Sequence, residues 1–433
     1  MQRTVATAKA IRGTLAVSAN KSISHRAAIF NAIAEGEATI EDFQRGADCL
    51  ATIDCLRRLG SSIRTRGESD LLIKGVGSRG LHEPASVLDA RNSGTSMRLL
   101  AGLLSAQPFL SVISGDASLN ARPMARIVDP LTQMGADITG RDGGRLAPLV
   151  IQGGSLRGIH YRMPTASAQV KSALLLAGLY AEGETTIEEP APTRDHTERM
   201  LTKMGADLQF GEGPAIRIRP LARELEAISL RVPGDISSAA PWLVLAAAHP
   251  DAEVQVTGVG VNPTRTGILD CLSLMGADIR LDNEQFWGGE PVADISVRSS
   301  QLRGITADGD LIPRSIDELP LLALAGCFAQ GETVIKDAAE LAVKESDRIR
   351  TTVEGLRALG ANLEEREDGF RVWGPQKLRG AVVSSHGDHR SAMMLAVAGA
   401  LSKGETLVRQ AECVSISYPH FWRDLDKLCQ PKS

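Results

Sequence analysis

One short pattern recurs along this 433-residue chain, and any fold assigned to it must repeat in step. Glu35-Gly36-Glu37-Ala38-Thr39-Ile40 returns as Glu182-Gly183-Glu184-Thr185-Thr186-Ile187, as Gly331-Glu332-Thr333-Val334-Ile335 and as Gly404-Glu405-Thr406-Leu407-Val408. Gly36, Gly183, Gly331 and Gly404 are separated by 147, 148 and 73 residues, so the first two intervals are double steps. Fainter copies stand where the halves require them, at Gln107-Pro108-Phe109 and Asp251-Ala252-Glu253-Val254. A second marker runs Leu59-Gly60, Met134-Gly135-Ala136-Asp137, Met204-Gly205-Ala206-Asp207, Met275-Gly276-Ala277-Asp278 and Leu359-Gly360-Ala361-Asn362. Its glycines are 75, 70, 71 and 84 residues apart. Six units of about 72 residues account for the chain.

Each unit has one grammar. A helix of small and branched apolar residues comes first, such as Ser172-Ala173-Leu174-Leu175-Leu176-Ala177 or Met393-Met394-Leu395-Ala396-Val397-Ala398. Apolar nearly all round, it belongs in a core. The Gly-Glu-x-Thr turn then opens a short β-branched strand. An amphipathic helix follows, as in Ile268, Leu269, Leu272 and Met275, with Asn262-Pro263 read as its cap and first helical residue. The Met-Gly-Ala-Asp glycine ends that helix, and strands such as Ile279-Arg280-Leu281 come next. Alternation of this kind predicts an α/β chain built on mixed sheets.

The sixth unit is short, with only a Val414 strand and a last helix after its marker, while residues 1–18 hold a strand-like segment without a counterpart. We therefore expect the N-terminus to complete the sixth unit. The expected division is 19–230 for units one to three, and 1–18 with 231–433 for units four to six; the cut falls near Val232-Pro233-Gly234.

Composition removes several classes of function. Lys and Arg total 48 against 52 Asp and Glu, which argues against nucleic acid as a partner. Aromatics are 3%, too few for base-stacking platforms. No apolar run approaches the roughly 18–20 residues of a membrane span, and Met1 to Gly13 lacks the apolar core of a signal peptide. Six cysteines, at 49, 55, 271, 327, 413 and 429, form no Cys-x-x-Cys pair. They read as reduced thiols of a cytoplasmic protein.

Charged and polar residues gather at the starts of the apolar helices. Unit one has Lys21-Ser22-Ile23-Ser24-His25-Arg26, and unit two Arg91-Asn92-Ser93-Gly94-Thr95-Ser96-Met97-Arg98. Unit three has Ser167-Ala168-Gln169-Val170-Lys171, unit five Asp317-Glu318 and unit six Asp388-His389-Arg390. Helix N-termini present unpaired N–H groups and partial positive charge, which suits phosphates and carboxylates. Arg adds paired donors, and Gly94 lets a ligand approach the backbone. Ordinary capping explains any one of these sites. It does not explain Lys and Arg recurring there, because unpaired buried charge is costly.

At these residues the chain resembles the 5-enolpyruvylshikimate-3-phosphate synthase family, over essentially its whole length. Lys21-Ser22 with Arg26 resembles that family's first substrate motif, Asn92-x-Gly94-Thr95-x-x-Arg98 its Asn-x-Gly-Thr motif and Arg122-Pro123 its Arg-Pro loop. Ser167-Ala168-Gln169 resembles the Ser-x-Gln site, and Asp317-Glu318-x-Pro320 the catalytic Asp segment. Lys344-Glu345-Ser346-Asp347-Arg348 and Asp388-His389-Arg390 resemble the last two motifs. Ser-Ala-Gln and Thr193-Arg194-Asp195-His196 are closer to the family's second sequence class. One departure is Ile416-Ser417-Tyr418-Pro419, where many members have a lysine before Thr-Phe-Pro, so no substrate contact is assigned there.

The resemblance implies an enolpyruvyl transferase fold: two lobes, each of three βαβαββ-like units, closing on ligands. It also implies transfer of the enolpyruvyl group of phosphoenolpyruvate to the 5-hydroxyl of shikimate 3-phosphate, with no cofactor, metal or covalent enzyme intermediate. Asp317 would be the base at the hydroxyl, with Lys21 and Glu345 sharing the other proton transfers. Lys21, Ser22, Arg26, Ser167, Ala168, Gln169, Arg194, Asp317 and Lys344 would hold shikimate 3-phosphate. Lys21, Gly94, Arg122, Gln169, Arg348 and Arg390 would hold phosphoenolpyruvate. Some glyphosate-insensitive members carry alanine at the position of Gly94, so the resemblance implies a sensitive enzyme. A monomer without nucleic-acid or membrane partners is expected.

Other signals are set aside. Gly75-x-Gly77-x-x-Gly80 matches a dinucleotide fingerprint, but Pro84 follows and no helix opens there, so a turn suffices. His386, Asp388 and His389 are metal-ligand types without a second cluster. Enolpyruvyl transfer to UDP-N-acetylglucosamine, on the same fold, is the alternative. That family usually has a cysteine before its Arg-Pro and begins Lys-Asn; here Gly115 to Ala121 lacks cysteine and Ser22 follows Lys21. A non-enzymatic repeat scaffold explains the period but not the reactive residues at equivalent helix starts.

Overall fold

A computed structural model describes residues 1–211 and 215–429. The chain divides into two compact units. One comprises Met1–Ser18, Pro233–Phe286 and Pro291–Ser433; the other comprises Ala19–Val232 and Trp287–Glu290, the tip of a hairpin.

In the Ala19–Val232 unit three four-stranded sheets share one plan. The strand after each Gly-Glu-x-Thr turn, or its faint copy, is Glu37–Glu41, Leu110–Ser114 or Thr185–Glu188. Each pairs in parallel with a short edge strand (Leu230–Arg231, Leu88–Asp89 or His160–Arg162) and antiparallel with the second strand of a hairpin. The other unit repeats the plan around Ala252–Gly260 and Gly331–Ile335, and in a three-stranded form around Glu405–Arg409, where Gln2–Ala6 takes the antiparallel place. The mixed α/β architecture read from the repeat is the one observed, with six small sheets.

The apolar helices form the cores. Lys21–Ala32, Gly94–Leu104 and Ala168–Gly178 lie in one core cluster, and Ile236–Ala248, Leu319–Gly326 and His389–Leu401 in the other. Gly102 shows how close the packing is: a Cβ there would lie 2.2 Å from the carbonyl oxygen of Ala173, so only glycine lets these two helices meet. The second marker ends the amphipathic helices as expected. Gly60, Gly135, Gly205, Gly276 and Gly360 follow their last turns at φ between +86° and +102°, a conformation glycine adopts without strain.

Three local expectations are corrected. Asn262-Pro263 does not start the helix of Ile268 and Leu269, which runs Gly267–Leu274 behind Thr266. The Asn262 carboxamide instead accepts from the Thr264 N–H (2.9 Å) and hydroxyl (2.7 Å), making a separate turn. Val414 is not in a strand. Gln410, at φ +56°, turns the chain after Glu405–Arg409, and Ala411–Ile416 forms a 3-10 helix whose first N–H reaches the Met1 carbonyl. The N-terminal segment is two strands in different sheets: Gln2–Ala6 pairs with Glu405–Arg409, and Ile11–Ala16 with Ala252–Gly260. Among the described residues, no helix is long and apolar enough to cross a membrane.

Candidate active site

In the Ala19–Val232 unit the helix starts carry two linked groups. The first centres on Arg26, whose residue is 2% exposed. Its Nε donates to Thr197 Oγ1 (2.7 Å), Nη2 to Ser172 Oγ (2.7 Å) and Nη1 to the Ser22 carbonyl (3.0 Å). Ser172 donates onward to the Ala168 carbonyl at 2.6 Å, tying in the Ser167–Gln169 segment, where Ser167 caps its helix through the Val170 N–H. All the acceptors on Arg26 are neutral oxygens. Burial above all pulls its pKa down to about 10, with nearby Arg194 pulling the same way and Glu198 opposing. It stays charged at neutral pH, and among the described residues its hydrogen bonds reach no counter-charge. Neighbouring His25, buried and facing Lys21 and Arg26, is held well below the usual imidazole range and remains neutral.

The second group centres on Gly94. Arg122 Nη2 donates to Asn92 Oδ1 at 2.6 Å, and Arg98 Nη1 donates to Gln169 Oε1. Gln169 Nε2 in turn donates to Thr95 Oγ1 at 3.0 Å. Gly94, Arg122 and Gln169, expected in one subsite, are thus joined through Arg98, Asn92 and Thr95. Lys21 is held by Asp48, 2.9 Å away and nearly buried, which fixes the ammonium in place. Lys171 has a different fate: wholly buried, it lies 2.9 Å from Glu189 and 2.6 Å from Glu198, and its charge is matched inside the unit.

In the other unit, Asp317, Glu345, Arg348 and Arg390 are brought into one buried network. The Arg348 guanidinium, 1% exposed, meets three carboxylates: Asp317 Oδ1 at 2.9 Å, Glu345 Oε2 at 2.6 Å and Asp388 Oδ2 at 2.8 Å. Burial disfavours its charge, but Asp388, Glu345 and Asp317 outweigh that and raise its pKa. Asp388 caps its own helix by accepting from the Arg390 N–H at 2.8 Å. Burial would raise its carboxyl, but Arg348 prevails and holds it below the usual carboxylate range. Arg390 Nη1 donates to the Ser237 carbonyl at 3.0 Å. Lys344, half-buried, ends a 3-10 helix beside Glu345.

Sequence reasoning missed several participants. Thr197 and Ser172 on Arg26, and Asp48 on Lys21, lie on helices whose patterns only signal amphipathic or buried faces. Arg265 was missed too. It stands in the fourth unit, which carries none of the quoted motifs, yet it is buried with Nη1 3.8 Å from Asp317 Oδ2. Tyr418, in the departing segment, is a core residue: its hydroxyl donates to Asp424 at 2.8 Å and its ring packs edge-on to Trp242. Among the described residues no group of three or more His, Cys, Asp and Glu is placed to hold a metal ion.

Comparison with known proteins bears on the same reading. A family model for EPSP synthase (3-phosphoshikimate 1-carboxyvinyltransferase) matches residues 5–425. A 3-phosphoshikimate 1-carboxyvinyltransferase of Herpetosiphon aurantiacus is 54% identical over 424 residues, covering 98% of each chain. One from Pelotomaculum thermopropionicum is 53% identical over 419 residues, covering 96% of each. An EPSP synthase structure from Acinetobacter baumannii matches with TM-score 0.88 and 46% identity, over 99% of this chain and 98% of that one. The enolpyruvyl transferase NikO from Streptomyces tendae matches at TM-score 0.79 over 98% and 96%; at 19% identity that likeness shows the fold alone. These full-length relatives carry the 3-phosphoshikimate name, not that of the UDP-N-acetylglucosamine alternative. Motif order, six-sheet architecture and a match over nearly the whole length therefore agree, and the chain belongs to the EPSP synthase (3-phosphoshikimate 1-carboxyvinyltransferase) family.

Proposed function

We propose that this enzyme adds the 5-hydroxyl of shikimate 3-phosphate to C2 of phosphoenolpyruvate while C3 takes a proton, then expels phosphate as C3 gives one up. The observation that carries the reading is Arg26: a buried guanidinium whose hydrogen bonds end on neutral oxygens is matched by an anionic ligand. Ser22, Ser167, Ala168, Gln169 and Arg194, which adjoin it in sequence or through its hydrogen bonds and charge, belong to the shikimate 3-phosphate set, to which the family motif adds Lys344. Gly94, Arg122, Gln169 and Lys21 are assigned to phosphoenolpyruvate, and so, from their motifs, are Arg348 and Arg390.

Asp317 takes the hydroxyl proton, and Lys21 and Glu345 serve the methylene carbon. Arg348 has a double part in this scheme. It adds positive charge for the phosphoenolpyruvate anion, and it fixes Asp317 and Glu345 relative to each other, because one guanidinium grips both carboxylates. The deciding assay is phosphate release. Release that requires both substrates, with formation of 5-enolpyruvylshikimate 3-phosphate, is expected. Release with UDP-N-acetylglucosamine in place of shikimate 3-phosphate, or with phosphoenolpyruvate alone, would overturn the reading.

Anion neutralisation here is assigned to Lys21, Arg26, Arg122, Arg348 and Arg390. Full activity after exhaustive chelation is the expected result. Activity that returns only on adding a divalent ion would contradict it.

A further inference from the structure

Arg265 is 3% exposed and comes from the Asn262–Thr266 turn of the fourth unit. Its Nη2 donates to Ser237 Oγ at 2.6 Å and lies 3.5 Å from Glu318 Oε1 and 3.8 Å from Asp235 Oδ1. Its Nη1 is buried without a hydrogen-bond partner and stands 3.8 Å from Asp317 Oδ2. The other oxygen of that carboxylate receives Arg348 Nη1 at 2.9 Å. Asp317 therefore lies between two buried guanidiniums, one facing each oxygen.

The turn that presents Arg265 is fixed to the segment that presents Asp317. Asn262 accepts from Thr264, and the Arg265 N–H reaches the Asn262 carbonyl at 2.8 Å. Arg314, three residues before Asp317, donates from Nε to the Pro263 carbonyl at 2.7 Å and from Nη2 to Asp270 at 2.5 Å. Gly267 lets the two segments touch, since a Cβ there would lie 2.9 Å from the Arg314 carbonyl carbon. Glu318, next in sequence, accepts from Ser237 Oγ and lies against the Nη2 end of the same guanidinium.

We propose that Arg265 is a positioning residue for the reaction: it orients the Asp317 carboxylate from the Oδ2 side and keeps it ionised for proton abstraction. The proposal rests on the reading of Asp317 as the base. The charges facing Asp317 include Arg348 from the helix Arg348–Ala358 and Arg265 from its turn, with Glu318 next in sequence. Glu345 and Asp388 lie behind Arg348, and Asp235 behind Arg265. Withdrawing the Nη1 end of the guanidinium takes positive charge from its place 3.8 Å from Asp317 Oδ2. The ionised carboxylate is then less favoured, so Asp317 must ionise at higher pH.

The test is the pH profile of kcat, with KM for both substrates, in Arg265→Lys and in the double variant Arg265→Gln/Glu318→Gln. Lysine keeps one charge for Ser237 and Glu318 but cannot present two nitrogens in a fork. The double variant removes a buried cation with a buried anion, which keeps the protein foldable if the first variant fails. In both variants the charge beside Asp317 Oδ2 is gone, while Glu318 Oε1 is engaged in the native protein by Ser237 and Arg265 Nη2. The acid limb of the profile is expected to move up by about one pH unit, with kcat on that limb down about tenfold. KM values should stay within about twofold, and the loss should recover at high pH.

A uniform loss across pH, or an unmoved acid limb, overturns the proposal and leaves Arg265 a structural ion-pair partner. Asp317→Asn serves as the reference. If it lowers turnover and abolishes the acid limb while the Arg265 variants keep theirs, the positioning role alone is wrong. If Asp317→Asn turns over like wild type, both the base assignment and this proposal fall.

Discussion

Asp317→Asn is expected to lower turnover by about 10²-fold or more, the usual scale for an acid–base group, while leaving the KM values and the melting temperature nearly unchanged. The side chain is 16% exposed, so the carboxylate is held but still reachable. Asparagine has the same shape, and its carbonyl oxygen can still accept from Arg348 Nη1. Arg348 keeps Glu345 and Asp388, and Arg265 keeps Glu318 and Asp235, so the buried cations remain paired. What disappears is an atom able to take a proton. The competing reading, a helix cap, has little support in the geometry: Glu318, not Asp317, precedes the helix Leu319–Gly326, and the cap makes no side-chain hydrogen bond. Steady-state kinetics and thermal unfolding on the purified variant decide between them. Turnover near wild type would reduce Asp317 to an ion-pair partner, and a large fall in melting temperature would make the kinetic loss uninterpretable as chemistry.

The fold was legible because its information is local and repeated. A glycine at positive φ after five amphipathic helices, and a Gly-Glu turn before four of the six central strands, are written in contiguous residues. Four copies of one marker and five of the other made the period visible where one would not. The failures came where a local rule had two outcomes. Asn262-Pro263 satisfies the grammar of a helix start, but Asn262 closes a tight turn on Thr264 and the helix begins at Gly267. Val414 belongs to an apolar run that reads as a strand, but Gln410 in the left-handed region diverts the chain into a 3-10 helix.

The charged groups were legible one by one, but their pairings were not. Lys171 and Arg26 look alike in sequence, each a cation near the start of an apolar helix. Lys171 is neutralised by Glu189 and Glu198, from a strand-following loop and another helix, whereas the hydrogen bonds of Arg26 end on neutral oxygens. Nothing contiguous in the chain distinguishes them. Arg348 shows the converse: a motif arginine expected as an anion clamp also grips the carboxylates of Asp317, Glu345 and Asp388, partners its motif does not name. Motifs mark which residues gather, and the third dimension decides whether a charge meets a neighbour or is left for a ligand.

Gly94→Ala is expected to weaken glyphosate, an inhibitor the family resemblance assigns to the phosphoenolpyruvate pocket, by roughly 10–100-fold, while phosphoenolpyruvate loses less. Gly94 opens the helix Gly94–Leu104 with ordinary helical backbone, so alanine adds no strain there and acts only through its methyl group. That methyl would stand 3.1 Å from Arg98 Nη1 and 3.4 Å from Arg122 Nη1. The first distance is tight enough that Arg98 must yield by a few tenths of an ångström. Neither arginine can move without loss: Arg98 is tied to Gln169 and the Pro123 carbonyl, and Arg122 to Asn92. The methyl therefore narrows the space between the backbone of Gly94 and the guanidiniums that would face an anion. Glyphosate is longer than phosphoenolpyruvate and meets the added group first. One methyl too many in a packed site typically costs about 1–3 kcal/mol, and each 1.4 kcal/mol or so is tenfold in affinity. Inhibition by glyphosate, competitive with phosphoenolpyruvate, measured on both proteins gives the answer. Wild-type resistance to millimolar glyphosate, or an equal loss of both ligands in Gly94→Ala, would show that room above residue 94 does not set the discrimination.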